Sequence, residues 1–215
     1  MIKHLIWDLD GTLIDTYPAF VTAFTNSLAE SGHYPDPDYV LSLTLVNLNY
    51  CVETLADVYQ ISPASLEQGF VKYYSQISYL QQPLMPGAHD LCRYIASTEG
   101  KNLIVTHRRR SSTTSLLEAH GIQSLITDLI AGDDGLPKKP DPTSFQVIMA
   151  RNNILEGETL SVGDRALDTA AGKAAGIKTC MLGKVEDQDQ PDIRVDELDE
   201  LLRIIQQDSG NGSNR

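Results

Sequence analysis

The sequence predicts an α/β protein: a Rossmann-like parallel sheet core with helices on both faces, interrupted by an inserted α-helical domain. Three observations predict it. Short apolar runs alternate with amphipathic helical patterns over most of the chain. Several of these runs stop at acidic or hydroxyl residues, where a parallel sheet would open toward ligand. One long stretch after the first run is helical throughout.

Leu5-Ile6-Trp7 stops at Asp8 and reads as a buried strand. From Thr16 to Gln82 no convincing strand occurs. Phe20, Phe24 and Leu28 share one helical face there, and Val52, Leu55, Val58 and Tyr59 form another. Pro18 stands near the start of this stretch, and Pro83, Pro86 and Gly87 near its end. An inserted domain is therefore expected over 16–82, with the core built from 1–15 and 83–215. The alternation then resumes. Leu91, Tyr94 and Ile95 mark a helix; Leu103 to Val105 a strand; Leu116, Leu117 and His120 a helix; Leu125 to Ile130 a strand. Phe145, Ile148 and Met149 mark another helix, and strands follow at Leu160-Ser161-Val162 and Thr179 to Leu182. A helix over Asp196 to Gln207 closes the fold. The Gly/Ser/Asn-rich tail 208–215 is expected to be flexible.

With 215 residues the chain suits one large domain or a core with a smaller insert. Its 29 acidic and 17 basic residues give a formal charge of -12. Such a surface repels nucleic acid and anionic membranes, so neither is an expected partner. An anionic substrate would need a local cationic site. The longest apolar runs are too short to cross a bilayer, and no signal peptide is visible, so a cytoplasmic location is expected. Cys51, Cys92 and Cys180 lack metal-ligand spacing and read as buried small hydrophobes in a reducing compartment.

The strongest chemical signal is Asp8-Leu9-Asp10-Gly11-Thr12-Leu13. Two carboxylates so close repel each other, which suggests a cation or a shared proton between them. Gly11 lets the backbone turn sharply toward a ligand. A plain turn would use the same residue types. A second acidic pair, Asp164 and Asp168, follows another buried strand. A helix starting near Arg165 would turn both carboxylates the same way. Either residue alone fits a helix cap or a first-turn charge. Capping does not explain why both acidic pairs stand at strand ends. Hard cations such as Mg²⁺ take oxygen ligands of this kind. Thr106 ends the strand through Val105, and Lys139 lies in Lys138-Lys139-Pro140-Asp141-Pro142, ahead of a helix. An ammonium fixed there would neutralise charge on a phosphoryl group.

This ordered set resembles the four-motif signature of the haloacid dehalogenase (HAD) superfamily: DxDGT, a strand-end Thr, Lys-Pro-x-Pro, then VGDxxxD. The helical insert is similar to the cap of its phosphoglycolate-phosphatase-like branch. The resemblance implies a phosphatase acting on a small phosphorylated metabolite, with Mg²⁺ as cofactor. It implies that Asp8 is the nucleophile and forms an aspartyl-phosphate. Asp10 is then the general acid and base, and its backbone carbonyl binds the metal. Thr106 and Lys139 match the phosphate-binding pair, Asp164 matches the metal carboxylate, and Asp168 fits the second acidic position, either as a ligand or through water. Gly11, Thr12, His107 and Arg108 are further candidates for phosphate or substrate contact. His107 stands where the family often has Asn, and Arg108-Arg109-Arg110 is a conspicuous basic run. Asp10 argues against dehalogenase and phosphonatase chemistry. A β-phosphoglucomutase-like transfer and a non-catalytic phospho-ligand sensor are the alternatives.

Overall fold

The computed structural model describes residues 1–183 and 190–212. The chain divides into two compact units, one of Met1–Ile14 with Leu84–Arg215 and one of Asp15–Pro83.

The first unit is built on β1 (His4–Trp7), β2 (Asn102–Val105), β3 (Ile126–Ile130), β4 (Thr159–Gly163), β5 (Lys178–Leu182) and β6 (Ile193–Val195). These form one sheet of order β3-β2-β1-β4-β5-β6, with every pairing parallel. β1, β2 and β4 are buried at every position, as strands covered on both faces must be. Their side chains alternate between two cores. Leu5 and Trp7 join the core formed by the helices Ala88–Ser97, Arg110–Ala119 and Leu198–Gly212. Ile6 points into the other, formed by Thr143–Asn152 and Ala166–Ala174. The buried indole of Trp7 donates to Asn102 Oδ1 at 3.1 Å, so its polar edge is satisfied inside the core.

The strand order sets the position of the site. The chain runs outward from β1 through β2 to β3, then crosses back to β4 on the other side of β1. The carboxyl ends of β1, β2 and β4 therefore meet at the reversal, where open α/β sheets bind ligands. Hydrogen bonds hold the emerging chain in line: Asp8 N–H donates to Val162 O at 2.8 Å, and Thr106 N–H to Ile130 O at 3.0 Å.

Two elements of this unit differ from those expected from the sequence. β6 was not expected; it has three residues between Asp192 and Asp196, too few for a periodic signal. The terminal helix begins at Leu198 and continues to Gly212, through residues expected to belong to an irregular tail. Ile2 N–H donates to Asp208 Oδ2 at 2.9 Å and ties that part of the helix to the start of the chain. Positions 213–215 of the expected tail lie outside the described residues.

The second unit has four α-helices: Tyr17–Ala29, Pro37–Val46, Leu48–Val58 and Pro63–Tyr74. Prolines at the first turn of three of them cost no backbone hydrogen bond. Asp36 and Asn47 cap two helices through their side chains. Phe24, Leu28, Val40, Cys51, Leu55 and Leu66 form the core, and Phe70 stacks on Phe24 with ring centroids 4.4 Å apart. Leu55 is buried as expected, but Val58 is 51% exposed. It lies at the edge of the apolar stripe, and Cys51 fills the core position instead. Among the described residues no helix is long and apolar enough to cross a membrane.

Candidate active site

Asp8 leaves β1 into a tight loop. Leu13 and Ile14 donate their backbone N–H groups to Leu9 O at 3.0 and 2.9 Å, and Gly11 N–H donates to Ile14 O at 2.8 Å. Gly11 has φ 82°, a conformation costly for any residue with a Cβ. Leu9, Leu13 and Ile14 are fully buried, so the loop is anchored by its apolar residues while Asp8 and Asp10 stay at the sheet edge.

At the end of β4, Asp164 precedes the helix Ala166–Ala174. Arg165, not Asp164, occupies the position before the first helical residue. Asp168 Oδ2 accepts from Arg165 N–H at 3.2 Å, which folds its carboxylate back toward the strand end. Thr12 donates its hydroxyl to Asp164 Oδ1 at 3.1 Å, joining the first and last sequence motifs. Asp8, Asp164 and Asp168 are all buried, and each offers a carboxylate oxygen within 4.8 Å of the others.

Lys139 reaches into this cluster. Its ammonium donates to Asp8 Oδ1 at 2.6 Å, to Asp168 Oδ1 at 2.5 Å and to Val105 O at 3.0 Å. Lys138 is exposed, whereas Lys139 is 4% exposed. Arg165 Nη2 lies 3.7 Å from Asp8 Oδ2. Burial works against charge on Asp8, but Lys139 and Arg165 overcome it and hold the carboxyl below its ordinary range. Burial raises Asp168, and the adjacent Asp8 charge adds to that shift. Lys139 stays charged despite burial because two carboxylates face it.

Thr106 is buried at the end of β2, and its Oγ1 accepts from Arg108 N–H at 3.1 Å. His107 beside it is pushed down to about 4 by burial and then by the Lys139 and Arg165 charges. The basic run separates into distinct roles. Arg108 turns inward to Asp10, with Nη2 2.6 Å from Oδ1. Arg109 precedes the helix Arg110–Ala119 and is exposed. Arg110 donates through Nε to Asp134 Oδ1 at 3.0 Å and through Nη2 to Leu129 O at 2.9 Å.

Asp8, Thr12, Lys139, Asp164 and Asp168 thus form one connected cluster, and Asp10 is tied to Arg108 rather than to Lys139. In the sequence Arg165 reads only as the start of a helix. Its place directly after the strand-end Asp164 was the available signal, since a cation there faces the carboxylate ending the neighbouring strand. The link from Arg108 to Asp10 had no local signal, because the two residues are 98 positions apart.

A cluster of this kind at the reversal of a doubly wound sheet puts the chain among α/β proteins that bind ligand at their strand ends. The family is narrower: residues 5–182 match the haloacid dehalogenase-like hydrolase family, and the chain belongs to it. It is 27% identical to a phosphoglycolate phosphatase of Vibrio parahaemolyticus, over 95% of this chain and 96% of that one. It is 28% identical to a phosphoglycolate phosphatase of Aliivibrio fischeri, over the same shares. A solved HAD-superfamily hydrolase of subfamily IA from Geobacter sulfurreducens superposes with a TM-score of 0.74, at 19% identity, over 94% of this chain and 96% of that one. At that identity the last likeness concerns the fold alone.

Proposed function

We propose that this protein is a magnesium-dependent phosphatase that hydrolyses a small phosphomonoester through an aspartyl-phosphate on Asp8. The observation that carries the reading is the state of Asp8. Its carboxylate is buried yet held ionised, with Oδ1 on Lys139 and Oδ2 buried without a hydrogen bond. A carboxylate kept charged at a strand end is a poised nucleophile.

The surrounding oxygens fit a hard divalent cation. Asp8, Asp164 and Asp168 bring three carboxylates together, and one Asp8 oxygen is orphaned beside them. Those three side chains and the Asp10 backbone carbonyl are the groups that would hold Mg²⁺. When bound, the ion supplies the positive charge that lets an anionic nucleophile meet an anionic phosphoryl group.

The remaining chemistry belongs to the chain. An Asp8 oxygen attacks phosphorus as the ester P–O bond breaks, and Asp10 gives its proton to the departing oxygen. Asp10 then takes a proton from the water that cleaves the aspartyl-phosphate, releasing orthophosphate and restoring Asp8. The Thr106 hydroxyl and the Lys139 ammonium bind phosphoryl oxygens and offset their charge. The helical unit Asp15–Pro83 acts as a cap that excludes water and bulky substrates. Relatives named for phosphoglycolate hydrolysis favour a small anionic ester over the phosphomutase reading. The complete set of carboxylates disfavours a non-catalytic sensor. Buried, unpaired Cys51, Cys92 and Cys180 agree with a reducing cytoplasm.

Hydrolysis of 4-nitrophenyl phosphate should require Mg²⁺, stop with chelator and resume on repletion. Asp8→Asn should reduce turnover to background and leave no acid-stable, hydroxylamine-sensitive phosphoenzyme. Substantial activity in that variant would replace the covalent route with direct attack of water.

A further inference from the structure

We propose that Arg108, braced by Ser112, is the positioning residue for Asp10 and is not a reader of the substrate. The inference rests on the proton-transfer role given to Asp10 above.

The guanidinium grips Asp10 along one edge. Nε donates to Oδ1 at 3.1 Å and to Oδ2 at 3.3 Å, and Nη2 donates to Oδ1 at 2.6 Å. On its other side Nη1 donates to Ser112 Oγ at 2.8 Å. The Arg108 side chain is only 8% exposed, against 20% for Asp10. Its backbone is fixed as well. Arg108 N–H donates to Thr106 Oγ1 at 3.1 Å, and Arg108 O accepts from Gly132 N–H at 2.8 Å.

A residue that reads free substrate should present its donors outward. Nε, Nη1 and Nη2 of Arg108 instead point at protein oxygens. Asp10 needs such a partner. It sits on a loop, and the terminal torsion of an Asp side chain is broad and weakly held. A planar fork gripping a carboxylate removes that freedom in a way a point charge does not. The grip is also uneven. Oδ1 receives two donors and the shortest contact, while Oδ2 receives one contact at 3.3 Å. Oδ1 is therefore the more firmly held of the two oxygens. Proton transfer demands that the acid lie within hydrogen-bond reach of the departing oxygen, so an Asp10 free to rotate would lose catalysis without losing binding.

The balance of the step fixes the test. An alkyl leaving oxygen needs the Asp10 proton as its P–O bond breaks; a nitrophenolate leaves as an anion without it. Wild type, Arg108→Ala, Arg108→Lys and Ser112→Ala are assayed with Mg²⁺ on β-glycerophosphate and on 4-nitrophenyl phosphate. Steady-state constants are combined with rapid-quench measurement of the first nitrophenolate burst. Arg108→Ala should lower kcat for the alkyl ester by about 10²-fold, at the low end of general acid–base contributions. KM for the alkyl ester and inhibition by orthophosphate should stay nearly unchanged, and the nitrophenolate burst should keep nearly its wild-type rate. Phosphoenzyme should accumulate, because the water step also uses Asp10. Arg108→Lys should recover part of the loss, and Ser112→Ala should show a smaller loss of the same ester-selective kind.

A raised KM at constant kcat would make Arg108 a substrate reader and overturn the proposal. So would equal losses on the alkyl ester and on the burst. If Arg108→Ala does not fold, Arg108→Lys and Ser112→Ala decide by the same selectivity, and its absence in both rejects the inference. Failure of the wild type to hydrolyse either ester would instead reject the phosphatase reading beneath it.

Discussion

Asp8, Asp168 and Lys139 share a small volume in which each charge depends on the other two. Removing the Lys139 ammonium would leave two buried carboxylates facing each other, a change that costs several kcal/mol in comparable buried pairs. His107 feels the Lys139 charge as well. Its imidazole is pushed down to about 4, by burial first and then by Lys139 and Arg165. In the unfolded chain it titrates near ~6.5. Below that value the unfolded chain gains a proton that the folded chain refuses. The corresponding stability is complete above the unfolded value and is lost as pH falls toward the folded one. Allowing for partial exposure, the loss should be about 1–2 kcal/mol. Urea titrations of chelator-treated protein across that window should show wild type losing more stability than His107→Asn. Parallel losses would mean that His107 ionises freely in the fold. This shift has no local signal in the sequence, since it depends on burial in the fold and on Lys139 and Arg165 arriving from distant segments. Asp8, Asp10 and Asp164 are legible as candidates because each stands at or just past the end of an apolar run, and Asp168 because it lies four residues beyond Asp164 where a helix begins; those signals are local.

The elements show the same division. β1, β2, β4 and β5 were readable as apolar runs, whereas β6 has three residues and only Val195 is buried. The terminal helix was read short because Gly and Ser near residue 210 resemble a tail in composition, while the hydrogen bond from Ile2 to Asp208 is a tertiary fact. Between β2 and the helix Arg110–Ala119, the loop carrying Thr106, His107 and Arg108 lies against the segment that follows β3. Gly132 makes that approach possible. A Cβ there would lie 2.1 Å from His107 O and 2.7 Å from its carbonyl carbon, and backbone atoms cannot yield as a side-chain tip can. Gly132→Ala should therefore shift the loop and cost about 1–3 kcal/mol, the usual range for overpacking. Because Gly132 N–H also binds Arg108 O, the variant should lose alkyl-ester turnover more than its lowered melting temperature accounts for at assay temperature. Thermal melts paired with kinetics well below the transition provide the check. A stable variant with wild-type rates would show that the loop has slack.

At the scale of the whole molecule, the two units have separate apolar cores. Both core clusters of the sheet unit draw only on residues before Leu9-Asp10-Gly11-Thr12-Leu13-Ile14 ends and after Leu84 begins. The helical unit has its own core around Phe24, Leu55 and Leu66. Its two ends also meet, since Asp15 N–H donates to Pro83 O at 2.8 Å. Directly inside them, Ile14 and Leu84 of the sheet unit form an antiparallel bridge, so a short turn could close the gap left by excision. Replacing Asp15–Pro83 by a short Asn-Gly turn should give a protein that folds with the parallel sheet intact. If the helical unit is a cap, this shortened protein should still turn over 4-nitrophenyl phosphate with Mg²⁺, more slowly because water is no longer excluded. It should also lose discrimination between small phosphate esters and bulky ones such as a phosphopeptide. Circular dichroism and cooperative melting test the first expectation, and the ratio of kcat/KM for small and bulky esters tests the second. An unfolded product would show that the sheet depends on the helices for stability. A folded product with unchanged selectivity would reject the cap and move substrate choice to the loops at the sheet edge, where Arg109 is the exposed cation nearest in sequence to Thr106 and His107.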